Sequence, residues 1–183
     1  MKITVVGRGN VGGGLGDLWE RAGHRVTRLG RDGGDLSGAD AVLVAVPGGA
    51  IADAFDRLTG FEGKTVIDAT NLYGVAAPDG FASNAEFVKS RTGGPTAKSF
   101  NVNAAQLYPR VAETRERPSN LWSGDDEARE VVERLNRDAG YEPVRLGALE
   151  KAALQERTVE LIFAVGEAGL GAFFYRMAPP ERL

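Results

Sequence analysis

At 183 residues, with 22 basic and 25 acidic side chains, a formal charge of −3 and 43% hydrophobic residues, the chain has the make-up of one globular domain with room for a short appendage. It has no cysteine and one histidine, His24, which excludes disulfides, thiolate nucleophiles, iron–sulfur clusters and multi-histidine centres, so no metal site is expected. The mild acidity offers no basic face for nucleic acid, and the 25 glycines follow no collagen-like period, so they mark tight turns and close approaches.

Met1 leads directly into the apolar run Ile3–Val6, a strand, without the basic start and long apolar core of a signal peptide. Val11–Ala22 follows as a helix with Leu15, Leu18 and Trp19 on one face. Arg25–Leu29 is a second strand, and Ala41–Val46 a third, apolar throughout and so buried on both faces. Ile51–Leu58 reads as a short helix, with Thr65–Asp68 and Ala97–Phe100 as further strands. Short strands at Asn120–Trp122 and Val144–Leu146 bracket a helix over Asp126–Ala139, capped by Asp125 or Ser123 and stopped at Gly140. This alternation predicts an α/β fold with a doubly wound, mainly parallel sheet.

From Ala148 the pattern changes, dividing the chain into a domain over residues 1–147 and a C-terminal helical extension over 148–183. Leu149–Gly166 reads as a helix with Leu154, Leu161, Ile162 and Val165 near one face. Gly166, Gly169 and Gly171 then precede an apolar piece ending in Phe173, Phe174 and Tyr175. Two readings stay open: packing against the sheet domain, or a dimer seam that also walls the active site. The stretch from Val159 to Phe174 carries Glu160 and Glu167 and is shorter than the ~20 apolar residues of a membrane span. A cytoplasmic protein with no membrane segment is expected.

The chemistry is concentrated at the first strand–helix junction. Gly7-Arg8-Gly9-Asn10-Val11-Gly12 is a GxGxxG motif that follows a strand and opens a helix, the context that gives the motif meaning. The first glycine permits the turn, the second admits a pyrophosphate, and the third lets helix and strand pack closely. The free N–H groups of the helix N-terminus favour phosphate. At the end of the second strand, where NAD enzymes place an acid for the ribose, the sequence has Gly30 followed by Arg31. A guanidinium there suits the 2′-phosphate of NADP, and Arg8 and Arg28 are expected to add to the same positive corner. Asp32, close behind, keeps NAD open as an alternative.

The other strand ends, Val46-Pro47-Gly48-Gly49, Ala69-Thr70-Asn71-Leu72 and Ser99-Phe100-Asn101-Val102-Asn103, supply small residues and amides. Asn71, Asn101 and Asn103 are candidates to orient a carboxamide or carbonyl, or else they tie down their own loops. Few groups there titrate near neutrality, and His24 lies before the second strand, away from these ends. Alcohol dehydrogenation needs a positioned proton acceptor, whereas exchange with a flavin-like ring asks the protein mainly to align two rings.

Several segments, MKITVVGRGNVG, ADAVLVAVP, KTVIDATN, AKSFN, LWSGDDEAREVVERLNRDAGYEPVRLGAL and ELIFAVGEAGLGAFFYRM, resemble the coenzyme F420-dependent NADP oxidoreductase family in order over nearly the whole chain. The resemblance implies a Rossmann-type NADP(H)-binding fold with direct hydride transfer between nicotinamide and a deazaflavin or flavin-like second substrate. It implies that Arg31 reads the 2′-phosphate and that Arg8, Gly9, Asn10 and Val11 hold the pyrophosphate. Val46, Pro47 and Ala50 would line the nicotinamide ribose, and Asn71, Phe100 and Asn101 would border the nicotinamide. It further implies a homodimer through the C-terminal helices.

The chain departs from this pattern between Leu29 and Ala41, where residues 30–40 are too few, too polar and too glycine-rich for a helix and a strand. This shortened second crossover predicts an adenosine pocket open on one side. Two other functions follow from the same features. One is an NADPH-dependent reductase of a small carbonyl or imine, with Lys98 or Tyr73 as proton donor; the other is a non-catalytic dinucleotide-binding dimer.

Overall fold

The computed structural model describes residues 1–182. Strand β1 (Lys2–Val6) leads into helix α1 (Asn10–Arg21) and strand β2 (Arg25–Leu29). The crossover that follows contains only β3 (Gly34–Asp35) before β4 (Ala41–Val44). Then come α2 (Ile51–Phe55), β5 (Leu58–Thr59), β6 (Thr65–Asp68), α3 (Asn84–Thr92) and β7 (Thr96–Ser99). Strand β8 (Ser119–Gly124), α4 (Arg129–Asp138), β9 (Glu142–Gly147) and α5 (Ala152–Val165) complete the fold.

A seven-stranded sheet in the order β2-β1-β4-β6-β7-β8-β9 forms the centre. Every neighbouring pair is parallel except β7 with β8. Successive side chains on a strand point to opposite faces, which explains the unbroken apolar runs. Ile3, Val5, Leu43 and Ile67 pack with Leu15 and Trp19 of α1 and Leu135 of α4 in one core. Val6, Val42, Val44 and Val66 pack with Ile51, Phe55 and Phe87 in the other. The result is the Rossmann-type, doubly wound α/β sheet that the alternation predicts. The chain leaves β1 toward β2 on one side and returns to β4 on the other, which opens a crevice at the carboxyl ends of β1 and β4.

The short crossover supplies residues that line this crevice. Strand β3 pairs in parallel with β5 as a separate two-stranded sheet, and Gly34 N–H donates to the carbonyl of Arg57 at 3.0 Å. Residues 31–33 and the end of α2 both line the cleft at the end of β2.

Other boundaries moved for local reasons. The third apolar strand ends at Val44, not Val46, because the chain turns at Val46-Pro47 toward a helical turn at Gly48–Ala50. The helix before Gly140 begins as a 3-10 turn over Asp126–Ala128. Asp125 holds the N-cap position of that turn without a side-chain cap; its Oδ2 accepts from Lys89 Nζ and Thr96 N, while Ser123 Oγ donates to Gln155. Helix α3 was not anticipated, although Ser83 and Glu86 form a capping box: Ser83 Oγ accepts from Glu86 N, and Glu86 Oε2 accepts from Ala82 N. The 3-10 segment Ala105–Glu113, which places Tyr108 against α1, was likewise not foreseen.

Candidate functional site

The turn after β1 is built by its glycines. Gly7 has φ 111 and lies so close to the carbonyl of Ala45 that a Cβ would overlap it. Gly12 sits against the carbonyl of Gly7 and Val5, the close helix–strand contact expected of the third glycine. Gly9 is the N-cap residue of α1, with no side-chain cap on the helix. A Cβ at Gly9 would meet nothing within 4 Å, so the space above it is free for a phosphate on the uncapped N-terminus. Asn10 and Val11 form the first turn, Asn10 lining a cavity shared with Arg8 and Val11 lining a cavity shared with Val46 and Asn71.

A cleft of about 840 Å³ runs from this turn to the end of β2, lined by Arg8, Gly9, Gly30, Arg31, Val46, Pro47 and Ala50 among others. Gly30 makes room for Arg8: the Arg8 guanidinium carbon lies 3.5 Å from where a Gly30 Cβ would be. Arg8 Nε and Nη2 donate to the carbonyl of Arg28 at 3.3 and 3.1 Å, which holds the guanidinium across the missing acid. Arg31 is exposed in the same cleft. Arg28 is not. Its guanidinium lies over Gly16 on α1, paired with Asp17 at 2.7 Å and Glu20 at 2.8 Å, so only its carbonyl serves the corner. These carboxylates hold the Arg28 guanidinium above its usual range, and Arg28 in turn holds Glu20 below its own.

Two further cavities continue the crevice. One, about 540 Å³, is lined by Val11, Val46, Pro47, Ala50, Asn71 and Tyr73. The next, about 390 Å³, shares Val11, Asn71 and Tyr73 and adds Asn101, Asn103, Phe163 and Glu167. Asn71 and Asn101 are brought together: Asn71 Nδ2 donates to the carbonyl of Asn101 at 2.7 Å, and Asn101 Nδ2 to Asn71 Oδ1 at 2.9 Å. Phe100, by contrast, does not present its ring to this space. Its backbone adopts φ 64, and the ring is fully buried, edge-on to Trp19 at 5.8 Å and Tyr141 at 6.3 Å. The positive φ turns the chain so that Asn101 faces the crevice while the phenyl group fills the core.

Lys98 is also removed from proton donation. It is fully buried, and its three N–H groups go to Asp68 Oδ2 at 2.8 Å, Thr70 O at 2.5 Å and Glu156 Oε1 at 2.6 Å. Burial pushes the Glu156 carboxyl above its usual range against the pull of Lys98, and Glu156 Oε2 has no hydrogen-bond partner among the described residues. His24 bridges the Met1 amino group at 3.2 Å and Asp138 at 2.8 Å, at the amino ends of the strands. Tyr73 remains: half-exposed, edge-on to Phe163 at 5.3 Å, with burial raising its hydroxyl above the usual value.

Helix α5 buries Ala152, Gln155, Glu156 and Val159, with Ile162 half-buried beside Val159, whereas Leu154, Leu161 and Val165 are exposed. The polar residues turn inward because the strand ends need partners: Gln155 Nε2 donates to Asn101 Oδ1 at 2.7 Å and Leu121 O at 3.0 Å. A wider turn over Gly166–Leu170 follows, and the last segment runs beside β8, with Ser119 N donating to Tyr175 O at 2.8 Å. Among the described residues, no helix is long and apolar enough to cross a membrane.

No family model and no curated protein matches the chain. Solved structures do. A candidate F420-dependent NADP reductase from Arthrobacter sp. FB24 superposes with a TM-score of 0.77 at 22% identity, covering 98% of this chain and 100% of that one. A hypothetical protein from Sinorhizobium meliloti gives 0.66 at 22% identity over 84% of this chain and 88% of its own. A reductive aminase from Aspergillus terreus, in complex with NADPH and ethyl levulinate, gives 0.65 at 16% identity over 92% of this chain and 61% of its own. At these identities the likeness is one of fold: the chain shares the Rossmann-type architecture of these proteins.

Proposed function

We propose that the chain is an NADP(H)-dependent oxidoreductase that passes hydride between nicotinamide and a small-molecule acceptor, a deazaflavin or flavin-like ring. The observation that carries this reading is the crevice at the ends of β1, β2 and β4. It combines an uncapped helix N-terminus, an open approach at Gly9, and the Arg8 and Arg31 guanidiniums where an acid would otherwise stand. The similarity to an NADPH complex of the same fold supports it.

When bound, the dinucleotide supplies the hydride. In this reading, the residues of the chain bind, orient and exclude water. Gly9, Asn10 and Val11 offer the start of α1 to the pyrophosphate, and Val46, Pro47 and Ala50 form the wall between the two ends of the site. Asn71 and Asn101, fixed by each other and by Gln155, border the nicotinamide. With Lys98 sequestered, ring alignment is what this end can provide, which favours a second redox ring over an alcohol.

Mixing the protein with NADPH and a deazaflavin, then following loss of deazaflavin absorbance, tests the acceptor. Turnover supports it; NADPH binding without turnover points to another acceptor. The second reading, reduction of a small carbonyl or imine, is supported by Tyr73, whose side chain lines both cavities beyond the dinucleotide cleft. We further propose a homodimer through α5 and the segment after it, where Leu154, Leu161, Phe163 and Leu170 are exposed.

A further inference from the structure

We infer that Arg57, at the end of α2, is a second guanidinium for the terminal phosphate of the dinucleotide and helps set NADP over NAD; the inference rests on the NADP reading above. Sequence inspection gives no reason to choose it, because it lies well after the GxGxxG turn and outside any motif. The fold brings it to the lining of the same cleft as Arg31.

Three features single it out. First, among the described residues the arginines of this cleft make none of the ion pairs that several, though not all, arginines elsewhere make. Arg28, Arg91 and Arg145 all sit within 3.0 Å of a carboxylate. Arg8, Arg31 and Arg57 have no such ion pair among the described residues, although Asp32 and Asp53 line the same cleft. Arg57 is exposed and makes one hydrogen bond, from Nη1 to the carbonyl of Asp53 at 3.2 Å, which leaves the rest of its fork for a ligand.

Second, Arg31 and Arg57 are mechanically joined. Gly34 N–H donates to the carbonyl of Arg57, and Leu36 N–H to that of Thr59 at 2.8 Å. Gly33, with φ 72, passes so close to the Arg57 carbonyl that a side chain there would overlap it. The peptide that carries one guanidinium is thus the one on which the loop of the other is pinned. A shortened crossover, which would otherwise leave Arg31 on a free loop, here sets two planar forks on a shared support.

Third, the ligand chemistry matches. A phosphomonoester carries nearly two charges and several acceptor oxygens, and guanidinium forks satisfy it better than one point charge does. The diol of NAD offers no such partner. The dinucleotide preference should therefore depend on Arg57 as well as Arg31.

The test is calorimetric titration of the whole protein with NADPH and with NADH, for wild type, Arg57→Gln and Arg57→Lys. Arg57→Gln should weaken NADPH by roughly tenfold or more and leave NADH within about twofold, with Arg57→Lys recovering part of the loss. If Arg57 only tidies the end of α2 through Asp53, the glutamine variant will melt lower with its NADPH/NADH ratio unchanged, which overturns the inference. A wild-type protein without preference for NADPH would instead defeat the NADP reading itself, and this inference with it. Preserved NADH binding shows that the variant is folded.

Discussion

Lys98 of β7 and Glu156 of α5 meet at 2.6 Å beneath the floor of the crevice, both buried, with Asp68 of β6 on the other side of the ammonium at 2.8 Å. This contact ties the C-terminal helix to the strand ends that shape the site. It also explains why α5 turns Glu156 inward and its leucines outward.

Removing the lysine would leave two buried carboxylates without a counter-charge. Lys98→Met is expected to destabilise the fold by about 3–5 kcal/mol, measured by urea unfolding. Because Lys98 is fully buried and lines none of the cavities of the crevice, dinucleotide affinity of the protein that remains folded should change little.

The glutamate predicts a pH effect. Burial raises its carboxyl above the usual value of 4.5, so the folded state holds the proton more tightly than the unfolded chain does. Its contribution to stability is fully present below the unfolded value and is lost as pH rises through the raised one. Glu156→Gln removes that slope. Relative to wild type, the variant should gain stability as pH rises above about 4.5 in urea unfolding; a difference that stays constant with pH would show that Glu156 does not carry the proton.

Tyr73 separates the two catalytic readings. If the acceptor is a redox ring aligned by the protein, Tyr73→Phe should keep the rate within a few-fold. Loss of roughly a hundredfold or more in steady-state turnover would make Tyr73 the proton donor of a carbonyl or imine reductase.

The exposed side of α5 predicts the assembly. Leu161, 63% exposed, is the most solvent-accessible large apolar residue of the helix. Leu161→Glu should convert a dimer to a monomer in sedimentation velocity without lowering the melting temperature of the subunit. A variant that remains dimeric would place the interface elsewhere.

Much of this architecture is legible in the residues themselves. The apolar runs of β1 and β4 are buried on both faces, and the GxGxxG turn lies between strand and helix. What the chain pattern hides is which way a side chain turns. Phe100 ends a strand-like run, yet its left-handed backbone sends the ring into the core. Arg28 lies beside the right corner, but alternation along β2 delivers it to Asp17 and Glu20 on α1. The apolar period of α5 leaves open which way its leucines face; the hydrogen-bonding needs of Lys98 and Asn101, which come from distant strands, bring Glu156 and Gln155 inward instead. Arg57 enters the cleft through the β3–β5 pairing, a contact no local spacing encodes.

The central claim, an NADP site at the carboxyl ends of β1 and β2, is tested most directly by calorimetric titration with NADPH and NADH on wild type, Gly9→Val and Arg31→Ala. The account predicts NADPH preference in wild type, loss of both ligands with Gly9→Val, and a selective loss of NADPH with Arg31→Ala. Equal binding of the two dinucleotides by wild type, or equal losses in Arg31→Ala, would contradict it.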